Sequence, residues 1–276
     1  MTTKIYKADN KLTFSILFLY AATGILAGFL AGLFGVGGGL IIVPALLYCF
    51  FIQGFDPAVS MHMAIGTSLA TIILTSISSM RAHHAHGAVQ WQVIRHMSLG
   101  ILIGGFLGAL VAKNLRSELL QIVFAIFEIL VAIKLLSNAK VTSTLVHLPG
   151  KLVLFVVGII ISAISAIVGI GGGTLSVPFL RWSGFSIQKS IATSAGLGLP
   201  IAISGTLAFI WAGSGHMAIP EYSMGFVYLP ALLGVGLLSI LLAPLGAKCA
   251  HSLPSGLLQR IFALGLIMIA MILILS

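Results

Sequence analysis

Apolar residues run along this chain in long stretches, at roughly 12–34, 40–52, 58–80, 94–112 and 118–137, then 151–168, 174–184, 187–212, 225–247 and 255–275, with short polar breaks between them. Most reach the ~20 residues an α-helix needs to cross the hydrocarbon of a bilayer, so the pattern predicts transmembrane helices. The stretches at 40–52 and 174–184 are shorter and carry Pro44 and Pro178, which predicts half-helices or re-entrant pieces.

Each short stretch follows a glycine cluster, and the two clusters are copies. Gly35-Val36-Gly37-Gly38-Gly39 with Val43-Pro44 returns as Gly169-Ile170-Gly171-Gly172-Gly173 with Val177-Pro178, at an offset of 134. Leu119-Leu120-Gln121 returns as Leu257-Leu258-Gln259, and Leu107-Gly108-Ala109 as Leu245-Gly246-Ala247, both at 138. Ile65-Gly66-Thr67-Ser68 has its counterpart in Ile191-Ala192-Thr193-Ser194. The chain therefore reads as a duplication, with one half at 1–137, a joint at 138–150 and a second half at 151–276. The loops at 81–93 and 213–224 are the longest other breaks, and none can house a soluble domain. The fold expected is an all-α polytopic membrane protein of 8–10 crossings. Five crossings per half, an odd number, would invert one half relative to the other, as in many secondary transporters.

Composition agrees. With 59% hydrophobic residues, 7% charged residues and a mean hydropathy of +1.18, the chain has too little polar surface to cover a soluble globule. Cys49 and Cys249 match neither a disulfide framework nor a metal-ligand spacing. Lys and Arg total 14 against 5 Asp and Glu, but the cations lie dispersed at the ends of apolar runs, so topology explains them better than a nucleic-acid partner. With ten crossings and the N-terminus outside, Arg81, Arg95, Lys134, Lys140, Lys151, Arg181, Lys189, Lys248 and Arg260 fall on the cytoplasmic side, against Lys113 and Arg116 outside. Lys4, Lys7 and Lys11 dissent from this tally; eight crossings would place them inside but move Arg181, Lys189, Lys248 and Arg260 out. No small-residue cleavage motif follows the first run, so a retained first span is expected.

The chemistry follows from the glycines. A helix starting after each cluster presents unpartnered amides and a partial positive charge, which suits an anion. Two such termini at mid-membrane would cradle one between Gly37, Gly38, Gly39 and Gly171, Gly172, Gly173. The alternative is that the glycines only permit close helix packing. Thr67, Ser68, Thr193 and Ser194 are candidate hydroxyl donors to a bound oxyanion, or else bond to carbonyls of their own and neighbouring helices. Glu128 is the one carboxylate well inside an apolar run; hydrocarbon favours its neutral form, making it a candidate proton-coupling group or a structural acid. His62 is a second titratable candidate, and Arg181 a fixed positive charge for an anion or a topology-setting flank residue.

Other signals are weaker. Arg81-Ala82-His83-His84-Ala85-His86 invites a metal, but no cysteine or acid accompanies it and the other half has only His216. Gly213-Ser214-Gly215 has no assignable base, and no phosphate-binding Gly-x-x-x-x-Gly-Lys-Ser/Thr loop occurs, so neither an enzyme nor an ATP-driven pump is expected.

The duplicated Gly-x-Gly-Gly-Gly with its Val-Pro, the Thr-Ser of the following segment and the Leu-Gly-Ala of each half together resemble the TauE/SafE family of sulfite-exporter-like membrane proteins, across nearly the whole chain. The resemblance implies a multi-pass secondary carrier of the inner membrane for small sulfur-containing anions such as sulfite or sulfonates. It implies no cofactor and no resident metal. Its partners would be the anion, the bilayer and a coupling H+ or Na+, with direction of flux and oligomeric state left open. The two halves would rock about the anion to expose it alternately to either side. The competing readings are a cation or metal carrier using the histidine tract and a membrane scaffold without transport.

Overall fold

The computed structural model describes residues 10–136 and 149–252, with positions 267, 268 and 271. Lys4, Lys7, Lys140, Arg260, most of the joint, and all but three residues of the last apolar run, its Leu-Leu-Gln signature included, lie outside the described residues. Helices α1 (Asn10–Phe34), α2 (Gly39–Ile52), α3 (Pro57–Ala85), α4 (Trp91–Lys113) and α5 (Ser117–Leu136) precede the joint. After it come α6 (Lys151–Val168), α7 (Gly173–Trp182), α8 (Ile187–Gly213), a hairpin of β1 (Ser223–Met224) and β2 (Val227–Tyr228), and α9 (Leu229–Ser252). Six of the described helices, α1, α3, α4, α6, α8 and α9, carry stretches long and apolar enough to cross a membrane, and the 20-residue α5 also has the length. The chain is thus all but wholly helical and multi-pass.

Local chemistry sets the boundaries. Pro57 supplies the fixed φ of a first helical turn while Asp56 Oδ1 accepts from the Ala58 amide, so α3 starts there. Ser186 Oγ accepts from the Lys189 amide and starts α8 in the same way. Among the boundaries that differ from those read in the sequence, two have a clear cause. The polar stretch Arg81 to Ala85 is the last turn of α3, not loop, because His83 turns inward and its Nε2 sits 2.9 Å from the Gly32 carbonyl. Residues 225–228 form the hairpin, so α9 begins only at Leu229.

Glycines fix which helices pair and in which direction. Gly24, Gly28 and Gly32 of α1 lie on Val235, Ser239 and Ala243 of α9 in the same order, so these helices run parallel with backbones in contact. Gly100, Gly104 and Gly108 of α4 lie likewise on Phe155, Ile159 and Ala163 of α6. Helices α3 and α8, the most buried of the six, run antiparallel: Gly66 meets Phe209, Leu69 meets Gly205, and Ser76 meets Gly198. Helix α2 doubles back along α1, since Gly38 abuts Ala27 and Gln53 Nε2 donates to the Tyr20 hydroxyl at 2.8 Å. Helices α1 and α9 therefore flank the central α3–α8 pair on one side, with α4 and α6 on the other.

Prolines inside these helices free carbonyls that lipid cannot satisfy. Pro244 leaves the Ile240 carbonyl without its helical donor, and Ser78 Oγ of α3 supplies one at 2.7 Å.

These directions sort the charges. Arg81, Arg95, Lys134, Lys151, Arg181, Lys189 and Lys248 gather at one end of the bundle. Asp56, Lys113, Arg116, Glu118 and Glu221 lie at the other.

Candidate functional site

Both glycine clusters break the chain at mid-height. Gly35, Gly37 and Gly38 have φ of 66°, 78° and 83°, and Gly169 and Gly172 have 81° and 75°, the left-handed region where a side chain is strained. Gly38 and Gly172 are the N-cap residues of α2 and α7, so each short helix starts at a reversal that glycine alone adopts readily. Gly37 and Gly171 both face Ile72, near the middle of α3, and Gly171 also faces Gly198, near the middle of α8. The breaks touch one another: a Cβ on Gly37 would lie 3.2 Å from the Cα of Gly171, and one on Gly39 would lie 2.5 Å from the Gly169 carbonyl oxygen. The first amides of α2 and α7, at Gly39 and Gly173, have no intrahelical acceptor and lie at this junction.

The serines hold the broken backbone. Ser68 Oγ donates to the Gly169 carbonyl at 2.8 Å, and Ser194 Oγ donates to the Gly35 carbonyl at 3.0 Å. Each serine thus satisfies the break belonging to the other part of the chain. Thr75 Oγ1 donates to the Gly37 carbonyl at 3.2 Å. Ser176 Oγ, in the first turn of α7, lies 2.8 Å from Ser194 Oγ and 3.0 Å from the Gly172 carbonyl. The threonines hold loops. Thr67 Oγ1 accepts from the Tyr228 amide at 2.9 Å, and Thr193 Oγ1 accepts from the Gln90 amide at 3.0 Å, so each anchors the loop packed against its helix.

Three other candidates stand apart. Arg181 lies eight residues beyond Gly173, about 12 Å along α7, where its Nη1 donates to the Phe185 carbonyl at 3.3 Å. His62 is buried near the start of α3, with Nε2 3.2 Å from the Ala112 carbonyl and its ring stacked on Phe226 at 5.2 Å. Glu128 is fully buried in α5, and among the described residues neither of its oxygens has a hydrogen-bond partner. The histidine tract does not converge. His83 faces Gly32, His84 Nδ1 accepts from Trp91 Nε1 at 3.3 Å, and His86 caps α3, so among the described residues no three ligand-type side chains form a metal set.

The sequence reading passed over two residues at the second break. Ser165 is fully buried, and its hydroxyl lies 3.3 Å from where a Cβ on Gly172 would be; Thr174 sits in the first turn of α7. Neither hydroxyl has a hydrogen-bond partner among the described residues. The signal was there: at the offset of 134 their counterparts are Ala31 and Leu40, so only the second cluster carries hydroxyls at these two positions.

Comparison with known proteins adds an independent result. The family model described as sulfite exporter TauE/SafE matches residues 20–273. A probable membrane transporter protein of Haemophilus influenzae is 39% identical over 257 residues, covering 93% of this chain and 97% of its own. One from Methanocaldococcus jannaschii is 29% identical over 246 residues, covering 86% and 89%. YunE of Bacillus subtilis, also described as a probable membrane transporter protein, is 29% identical over 217 residues, covering 70% and 77%. No solved structure matches.

Proposed function

This chain belongs to the sulfite exporter TauE/SafE family, and from that premise we propose that it is a secondary carrier of small sulfur-containing oxyanions, such as sulfite or a sulfonate, across the cytoplasmic membrane. The observation that carries this reading is the meeting of two left-handed glycine breaks between α3 and α8, each starting a short helix at the junction. An oxyanion offers several acceptor oxygens and negative charge. Unpartnered amides at helix N-termini offer donors and partial positive charge without the desolvation penalty of a buried cation. Gly37, Gly38 and Gly39 with Gly171, Gly172 and Gly173 are the proposed cradle. Ser68 and Ser194 shape it, Ser165 and Thr174 supply free hydroxyls, and Thr67 and Thr193 brace the loops behind it. Arg181 stands at the far end of α7 on the approach to it.

An inverted duplication is supported by exchange of partners. Swapping α1 with α6, α3 with α8 and α4 with α9 turns the parallel α1–α9 pair into α6–α4 and returns the antiparallel α3–α8 pair to itself. The same swap turns Ser68→Gly169 into Ser194→Gly35. An odd number of alternating segments before the joint sets α3 and α8 in opposite senses, the arrangement of many secondary transporters. The excess of Lys and Arg at the end holding Arg81, Arg95 and Lys151 supports a cytoplasmic position for that end. Glu128, with no partner for its charge among the described residues, is the proposed proton-coupling group, and His62 the second candidate.

Purified protein in proteoliposomes tests the reading. Labelled sulfite or a small sulfonate should accumulate in response to an imposed ion gradient, while nickel and sodium alone should not. Uptake of none of these would favour a scaffold, and uptake of nickel a metal carrier.

A further inference from the structure

Every described carboxylate except Glu128 lies at one end of the bundle, so the opposite end, with Arg81, Arg95, Lys134, Lys151, Arg181, Lys189 and Lys248, carries no acid of its own among the described residues. Within that end the charges are not evenly spread. Helices α4 and α6 run parallel with glycines at their contact, so Trp91 and Lys151, their first residues, open side by side. A cavity of about 520 Å³ lies between the two first turns, lined by Trp91, Gln92, Arg95, His96 and Lys151. Neither helix has an acidic residue in its first turn. Two exposed cations therefore face one recess into which two helix dipoles also point their positive ends. Within the recess, His96 Nδ1 is buried and has no partner among the described residues.

We propose that this recess binds the phosphate of an anionic phospholipid from the adjoining leaflet. A phosphate group matches the donors: a guanidinium fork from Arg95, an ammonium from Lys151 and an amide from Gln92. The lipid source follows from what lies below. Leu152 of α6 is 74% exposed and Leu99 of α4 is 62% exposed. Both belong to membrane-spanning helices; Leu152 follows Lys151 directly and Leu99 lies one helical turn beyond Arg95, which offers apolar surface to an acyl chain below the recess. Trp91, part exposed at the same level, has the amphipathic ring that settles at the headgroup boundary. Basic pockets between helices at the cytoplasmic surface are the usual seats of anionic headgroups. A topology signal alone needs cations near the helix ends; it does not need them gathered around a recess.

The test uses the full chain in a mild detergent, with dioctanoyl phosphatidylglycerol, dioctanoyl phosphatidylcholine and inorganic phosphate as separate probes. Thermal unfolding and native mass spectrometry are the readouts. Phosphatidylglycerol should raise the melting temperature and give a one-lipid adduct, whereas the zwitterionic lipid and inorganic phosphate at equal concentration should do neither. Arg95→Gln and Lys151→Gln should each weaken the lipid adduct about three- to tenfold, and the double variant should lose it. Lys189→Gln with Lys248→Gln removes as much charge from the same end and should leave the adduct unchanged. Equal binding by the double variant, equal loss with the Lys189/Lys248 control, or an equal effect of inorganic phosphate would each overturn the lipid assignment. Since the readout is binding to a surface distant from the glycine junction, it stands or falls independently of the transport reading.

Discussion

Ser194 of α8 donates its hydroxyl proton to the Gly35 carbonyl, 3.0 Å away and 159 residues earlier in the chain. Ser68 of α3 does the same for Gly169. Each left-handed break leaves carbonyls that cannot join a helical ladder, and in a bundle core no water is at hand to satisfy them. Replacing either serine by alanine orphans a buried carbonyl, so Ser68→Ala and Ser194→Ala should each destabilise by about 1–3 kcal/mol. Thermal unfolding in detergent reads this directly, and unchanged stability in both would show that the bonds contribute nothing.

Glycines differ sharply in what a methyl group would meet. A Cβ at Gly173 would strike the Gly35 carbonyl and Val36, and one at Gly39 the Gly169 carbonyl, whereas one at Gly54 or Gly87 meets nothing within 4 Å. Gly39→Ala and Gly173→Ala should therefore abolish transport in protein that still reaches the membrane. Gly54→Ala and Gly87→Ala, both at positive φ, should cost only about 1 kcal/mol of backbone strain and keep transport. Proteoliposome uptake normalised to inserted protein distinguishes the two pairs; equal activity in all four would remove the junction from the mechanism.

Ser165 and Thr174 carry hydroxyls without partners among the described residues, and a buried polar group without a hydrogen bond is a net loss for folding. Ser165→Ala should hence leave stability unchanged or slightly raised. If the hydroxyl serves the anion instead, the KM for the transported oxyanion should rise by about tenfold, the worth of one hydrogen bond to a charged group. A stable Ser165→Ala variant with wild-type KM would take this residue out of the site.

Glu128→Gln keeps shape and hydrogen-bonding capacity but cannot ionise. In the coupling role, the variant should bind substrate normally yet fail to accumulate it against a gradient when only a pH difference is imposed. Counterflow, which needs no net proton movement, should persist. Full pH-driven accumulation by the variant would leave Glu128 structural.

Ser78 and Pro244 form a compensating pair. Ser78→Ala removes the donor to the Ile240 carbonyl and should destabilise by about 1–3 kcal/mol. Pro244→Ala restores the helical amide that the carbonyl otherwise lacks, so the double variant should regain most of that loss. A thermodynamic cycle showing simple additivity would refute the pairing.

Much of the helical framework was legible because lipid imposes a coarse rule: runs such as 151–168 and 40–52 differ from the observed helices by a residue at most. Polar residues at the ends were harder. His83 reads as loop until its partner is known, and that partner, Gly32, lies on another helix. The glycine breaks announced themselves by repetition, but the partners of Ser68 and Ser194 did not, because a hydroxyl's choice between its own helix and a distant carbonyl depends on packing alone. Thr67 and Thr193, adjacent to those serines, read as donors to an anion in the same way; in the structure both also accept from loop amides, which the sequence does not announce. Residues one step apart on a helix point about 100° apart, so neighbouring hydroxyls rarely serve one ligand. Ser165 and Thr174 escaped for the opposite reason, since attention to what the two copies share passes over what only one of them has.

The glycine seams also decide what can move. Helix α1 is fastened to α9 and α4 to α6, backbone against backbone, so each seam joins a stretch before residue 137 to one after 149. A swing of one sequence half against the other would have to unfasten both. Any motion that leaves both seams closed would carry α1 with α9 and α4 with α6 as composite slabs past the α3–α8 pair, so the seams cut across the order of the chain.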